Sequence, residues 1–136
     1  MRDILFRGKR KDNGEWTEGH YAKVVDWLDE RYIDLIIESK ATQFHHSELT
    51  SCNEVELETV GQFTGLLDKN GKKIFEGDIV EGRNWLHEDR LIYRVVWELN
   101  GFYYCDEDDE RWHPGHINEV EVIGNIHDNP ELLEVK

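Results

Sequence analysis

Three groups of side chains in this 136-residue chain have types and spacings that chemistry can use. Asp68-Lys-Asn-Gly71 looks like the opening of a calcium loop, Gly77-Asp78 offers a carboxylate on a turn, and His113 and His116 follow an acidic run. An EF-hand loop needs oxygen ligands at positions 1, 3 and 5, glycine at 6 and glutamate at 12. Here Gly71 falls at the fourth position and Lys72 at the fifth, so the segment reads as a tight turn built on Asn-Gly. Asp78 has no partner group in sequence for general acid–base work. Gly77-Asp78 instead fits a turn whose carboxylate accepts backbone N–H groups where a strand begins. Structural zinc uses close ligand pairs, mostly cysteine. The seven His and two Cys, including adjacent His45 and His46, have no such spacing, although His113, His116 and the acidic run form a conceivable divalent set. Ser47, Ser51 and Thr64 lie in no nucleophile elbow or triad-like setting. The sequence therefore predicts no catalytic residue, no metal site and no cofactor.

Charge supplies the binding candidates. Sixteen Lys and Arg face 30 Asp and Glu, a net −14, which repels nucleic acid and anionic membranes wherever positive charge is not clustered. It is clustered at one end: Arg2, Arg7, Lys9, Arg10 and Lys11 fall within the first 11 residues, and Trp16 adds a stacking surface. The plain reading is a solvated hairpin tip; the functional one is phosphate contact. Asp106, Glu107, Asp108, Asp109 and Glu110 form the opposite pole. That run is either a solubilising loop or a surface for a basic protein, including one whose nucleic-acid site the carboxylates imitate. A basic end and an acidic end on one chain also suit head-to-tail contact, so a homo-oligomer is expected. Trp85, Trp97, Tyr103 and Trp112 are candidates for an aromatic groove, with Trp97 expected in the core.

The elements that must position these groups are strands. Ile4–Phe6, the turn Asp12-Asn-Gly14 and Trp16–Tyr21 predict an N-terminal hairpin with the basic residues at its tip. Val24–Tyr32 reads as a helical turn or a loop, since Val24, Trp27, Leu28 and Arg31 match a helical period only briefly. Ile33–Ile37 is a strand, and residues 41–53 read as an irregular connection. Short strands at Val60–Phe63, Ile74-Phe75 and Ile79-Val80 are broken by glycine turns. Arg90–Leu99 and Phe102–Cys105 flank Asn100-Gly101, and Val120–Gly124 is the last strand. Asn129-Pro130-Glu131 has the chemistry of a helix start. Mainly β structure follows, with room for a small five-stranded barrel between about Thr59 and Ile126. The expected division is an N-terminal β subdomain over 1–58, packed as one cooperative unit on a domain over 59–136 that ends in a short helical turn. Cys52 and Cys105 are too few for a disulfide framework, and no apolar run approaches the length of a membrane span. A soluble cytoplasmic protein with reduced thiols is expected.

Gln62-Phe-Thr-Gly-Leu-Leu-Asp-Lys-Asn-Gly-Lys-Lys-Ile-Phe-Glu-Gly-Asp-Ile-Val80 closely resembles the signature of the YopX family, small proteins encoded by phages and prophages. Ile4-Leu-Phe-Arg-Gly8 is similar to the family's N-terminal strand and Val95-Val-Trp97 with Gly101-Phe102 to its central hairpin. Val120–Ile126 with Asn129-Pro-Glu-Leu132 is similar to its C-terminal motif. The resemblance implies an SH3-type barrel in the C-terminal half and a setting in the cytoplasm of a bacterial host, and it brings no catalytic residues with it. The expected function is that of a non-enzymatic accessory protein acting through contacts with host or phage proteins. Nucleic-acid binding through Arg7, Lys9, Arg10, Lys11 and Trp16 is the alternative, as is inhibition of a host nucleic-acid-binding protein through Asp106–Glu110. Trp85 and Trp112 complete the candidate binding residues.

Overall fold

In the computed structural model, which describes residues 4–38, 52–86, 89–98 and 100–133, the Asp12-Asn-Gly14 turn reverses the chain as its residue types require. Asn13 Oδ1 accepts the Glu15 amide at 2.9 Å, the local bond that favours Asn in turns. Arg2, His45, His46, Ser47, Ser51 and Leu99 lie outside the described residues. The chain divides into two compact units, Met1–Phe63 and Thr64–Lys136.

In the first unit β1 (Phe6–Lys9) pairs antiparallel with β2 (Trp16–Asp26), from Phe6↔Gly19 to Lys9↔Trp16. β2 continues into β3 (Arg31–Glu38), with partners running from Gly19↔Glu38 to Asp26↔Arg31. Val24 to Tyr32 is therefore neither a helical turn nor a loop alone. Val24 pairs with Ile33 and Val25 with Tyr32, and only residues 27–30 form the turn. β-branched residues pairing at a period of two outweigh a helical pattern only two turns long. β4 (Cys52–Glu54) borders β3, so Cys52 and Asn53 are strand and not part of an irregular connection, and a 3-10 turn, Leu57–Thr59, follows. Among the described residues of this unit, Ile36 and Val55 are the fully buried apolar side chains.

β5 (Gly61–Leu67) begins in the first unit, beside β1, and ends in the second. There it pairs with β6 (Lys73–Phe75). β7 (Asp78–Asn84), β8 (Arg90–Glu98), β9 (Gly101–Cys105), β10 (Arg111–Trp112) and β11 (Ile117–Asn125) form an antiparallel sheet in the order β10-β9-β8-β7-β11. Its core gathers Ile74, Val80, Tyr93, Val95, Tyr104, Ile117 and Val120. β10 and β11 stand at the two edges, and among the described residues no pairing between them closes a barrel. The Asn129-Pro130 start produces a single 3-10 turn, Pro130–Leu133.

Trp97 does not join this core. It shares the face of Tyr93 and Val95 but sits one pair from the end of the β8–β9 ladder, where it is 45% exposed and meets Phe102 edge-on at 4.6 Å. Alternation puts a side chain on a face; distance along the strand decides whether the core reaches it.

Candidate functional site

The glycine-rich signature resolves into turns and clasps. Asp68 Oδ1 accepts the amides of Asn70 and Lys72 at 2.8 and 2.9 Å, and its Oδ2 accepts the Val122 amide at 3.0 Å. Gly71 takes φ +85° and Gly77 φ +92°, the left-handed region that glycine adopts without strain. Asp78, buried, accepts the Phe75 amide at 2.7 Å. Both carboxylates are thus engaged with backbone donors inside the second unit.

The basic tip is largely neutralised within the first unit. Arg10 holds Asp12 through two bonds of 3.1 and 2.8 Å, and Lys11 lies 3.3 Å from Glu54. The Arg10 side-chain bonds lower the Asp12 pKa, as a shared proton donor should. The Arg7 guanidinium stands 4.5 Å from the Trp16 ring centre and Lys9 Nζ 5.6 Å from it, so Trp16 is half-buried beneath two cations. A base stacking on the face those cations cover would have to displace them.

The acidic run divides into two roles. Asp106 Oδ1 accepts the amides of Asp108 and Glu110, both at 2.9 Å, and Oδ2 accepts Trp112 Nε1–H at 2.8 Å. Asp109 bonds Arg94 Nη2 at 3.0 Å and lies 3.5 Å from Cys105 Sγ; the Arg94 bond, with help from Cys105, lowers its pKa. Burial pushes the Cys105 thiol upward, so this sulfur is a packed hydrophobe and not an activated nucleophile. Asp106 and Asp109 therefore build the loop. Glu107, Asp108 and Glu110 are left facing outward, exposed.

Those three carboxylates line a cleft of about 510 Å³. Its apolar wall is Ile92 from β8 with Leu132 and Leu133 from the last 3-10 turn, while Leu91 borders it and packs against the core. Arg90 and Arg94 also line it, but both have partners: Arg90 with Glu81 at 3.0 Å and the Glu119 carbonyl at 2.9 Å, Arg94 with Asp109. The volume lies in the range of pockets that hold small ligands or peptide side chains. Its outward charge is negative.

The family model for the YopX protein matches residues 5–134, nearly the whole chain. The chain belongs to the YopX family. A crystal structure of protein EF1440 from Enterococcus faecalis is similar to it, at 26% identity over 98% of this chain and 99% of that one, with a TM-score of 0.55. No curated protein matches.

In this YopX-family chain the aromatic candidates do not line that cleft. Trp85 is exposed after β7, edge-on to His116 at 5.9 Å, and Trp112 is held half-buried by Asp106. Neither they nor Trp97 and Tyr103 line the cleft. His113 Nδ1 accepts the Gly115 amide at 3.0 Å, and among the described residues no three His, Cys, Asp or Glu side chains cluster to hold a metal. No helix among them is long and apolar enough to cross a membrane. Sequence reasoning missed Leu91, Ile92, Leu132 and Leu133, because only the folded chain brings Pro130–Leu133 beside β8. It also missed the end of the β2–β3 hairpin, where Trp27 is 84% and Leu28 95% exposed. The signal for that end was available in the β-branched Val24-Val25 and the Asp26 turn chemistry.

Proposed function

We propose that this YopX-family chain is an accessory protein of a phage or prophage, acting in the bacterial cytoplasm by binding another protein and not by catalysis. The partner's basic segment sits in the cleft of the second unit. One observation carries the reading. Of five consecutive carboxylates, Asp106 is bound to two backbone amides and the Trp112 indole and Asp109 is paired with Arg94, which leaves Glu107, Asp108 and Glu110 on the rim of an apolar wall. A ligand that satisfies both parts has Lys or Arg groups for the rim and an aliphatic or aromatic side chain for Ile92, Leu132 and Leu133. The second unit carries eight Lys and Arg against 17 Asp and Glu over residues 64–136, a net −9 that steers a cationic partner toward it. A protein that grips nucleic acid through basic side chains has that composition, which favours the reading of the rim as an imitation of phosphate charge.

An SH3-type barrel belongs to the same reading. The five strands β7–β11 and the irregular register of β11 between Asn118 and Glu121 and between Val122 and Gly124 support it, since bulges bend a sheet toward closure. The test is affinity capture from cells that carry the gene, comparing wild type with a Glu107→Gln, Asp108→Asn, Glu110→Gln variant. A basic protein retained by the first and lost by the second is expected. Identical captured sets would remove the cleft as the site.

A further inference from the structure

Among the described residues the β2–β3 hairpin outruns the strands beside it. β1 accompanies β2 only from Trp16 to Gly19, and β4 accompanies β3 only from Leu35 to Ile37. Among the described residues, 20–26 and 31–33 therefore extend beyond the flanking strands while still pairing with each other, the last flanking bond being that of the Val55 amide to the Asp34 carbonyl at 2.9 Å. Such a projection ordinarily ends in polar turn residues. This one ends in Trp27 and Leu28, and Tyr32 beside them is 66% exposed.

The end is shaped, not frayed. Asp26 Oδ1 accepts the amides of Leu28 and Asp29 at 3.0 and 3.3 Å, and Glu30 takes φ +51° to complete the reversal. Tyr32 lies opposite Val25 on one face of the hairpin. Lys23 and Asp34 share that face, joined at 2.8 Å, and Tyr21 Oη donates to Asp34 at 2.6 Å. Lys23 Nζ also stands 5.7 Å from the Tyr32 ring centre. The apolar side chains are thus held out on a scaffold of internal bonds, so docking them costs little ordering.

We propose that this hairpin end docks against the same hairpin of a second copy of the chain. The proposal rests on the reading that the protein acts through protein contacts, and names a contact apart from the acidic cleft. Size is the first argument. Trp27 and Tyr32 present roughly 350 Å² of aromatic surface. Leu28 and Val25 bring the patch to the upper end of the ~300–600 Å² that a typical monomer leaves open. With Lys23, Asp29, Glu30 and Arg31 around it, the surface approaches the ~800 Å² per partner of a stable interface. Charge is the second. The rim carries both signs, Arg31 beside Asp29 at 3.7 Å and Glu54 at 3.4 Å with Glu30 next in sequence, so a two-fold axis can set a cation against a carboxylate of the other copy. A uniformly basic or acidic partner meets like charge on part of that rim. Geometry is the third: among the described residues no strand pairs with the outer edge of β2 beyond Gly19, and two copies related by a two-fold axis supply an antiparallel strand to each other there.

Sedimentation of the full chain, over a range of concentrations, tests the proposal. Wild type is expected above the 16.2 kDa monomer mass. Trp27→Ser with Leu28→Ser and Tyr32→Ser should run as a monomer, with self-affinity weakened at least tenfold and an unchanged circular dichroism spectrum. Leu28→Lys alone guards against misfolding, since that side chain makes almost no contact in one copy, and it too should dissociate the assembly. The Glu107, Asp108, Glu110 triple variant should keep the wild-type mass, so failure of the cleft reading is told apart from failure of this one. A monomeric wild type at every concentration, or an unchanged mass in Leu28→Lys, overturns the proposal.

Discussion

The Asp68 carboxylate accepts the Val122 amide at 3.0 Å across 54 residues of sequence. Its other oxygen holds the Asn70 and Lys72 amides of its own turn, so one side chain ties the β5–β6 turn to β11. The most recognisable segment of the chain is therefore a clasp, and its carboxylate is spent on backbone donors.

Removing the clasp exposes its worth. Asp68→Ala leaves three amides without their acceptor and should destabilise the protein by about 3 kcal/mol in urea unfolding. Burial raises the Asp68 pKa, but the Val122, Lys72 and Asn70 amides lower it by more, so the folded value lies below the ordinary 3.8. The unfolded chain takes up this proton first as pH falls. The stabilisation is complete above about pH 5 and is lost as pH drops through the folded value. Asp68→Asn should be less stable at neutral pH and show a shallower loss below pH 4; an identical acid profile would contradict the clasp.

The acidic loop should split by role. Asp106→Ala deprives two amides and the Trp112 indole of their acceptor and should cost about 1–2 kcal/mol, with a change in tryptophan emission. Glu107→Gln, Asp108→Asn and Glu110→Gln together should leave the unfolding midpoint nearly unchanged. Equal effects from the two sets would dissolve the distinction between building and rim carboxylates.

Gly82 marks a close approach. A Cβ there would stand 2.5 Å from Ile117 Cγ2 and 3.2 Å from Val120 Cγ2, both in the core where β7 meets β11. Gly82→Ala should destabilise by about 2 kcal/mol through overpacking, read as a lower melting temperature.

The basic tip should bind nucleic acid weakly at best, because Arg10 and Lys11 are engaged by Asp12 and Glu54. Fluorescence anisotropy with single- and double-stranded oligonucleotides at low salt should show no saturable binding. Tight binding that falls steeply with salt would restore the nucleic-acid reading.

Much of the fold was legible because its signals are local. Asn13-Gly14, Asn70-Gly71 and Asn100-Gly101 mark turns by their own backbone preferences, and the Arg90–Glu98 strand declares itself by length and alternation. What stayed hidden depends on distance in the fold. Trp97 has the alternation of a core residue yet lies past the end of the core. Leu132 and Leu133 look like a terminal turn until Pro130–Leu133 is seen beside β8. Equally, five acidic residues in a row read as one patch, and only hydrogen-bond partners separate Asp106 and Asp109 from the other three.

The paired capture experiment bears most directly on the central claim, that the second unit's cleft receives a basic protein. Wild type and the Glu107, Asp108, Glu110 variant are immobilised at equal amounts and exposed to the same extract, and the retained proteins are quantified. A basic protein held in near-stoichiometric amount by wild type and reduced at least tenfold by the variant is the predicted result. Retention of the same proteins in the same amounts by both would contradict it.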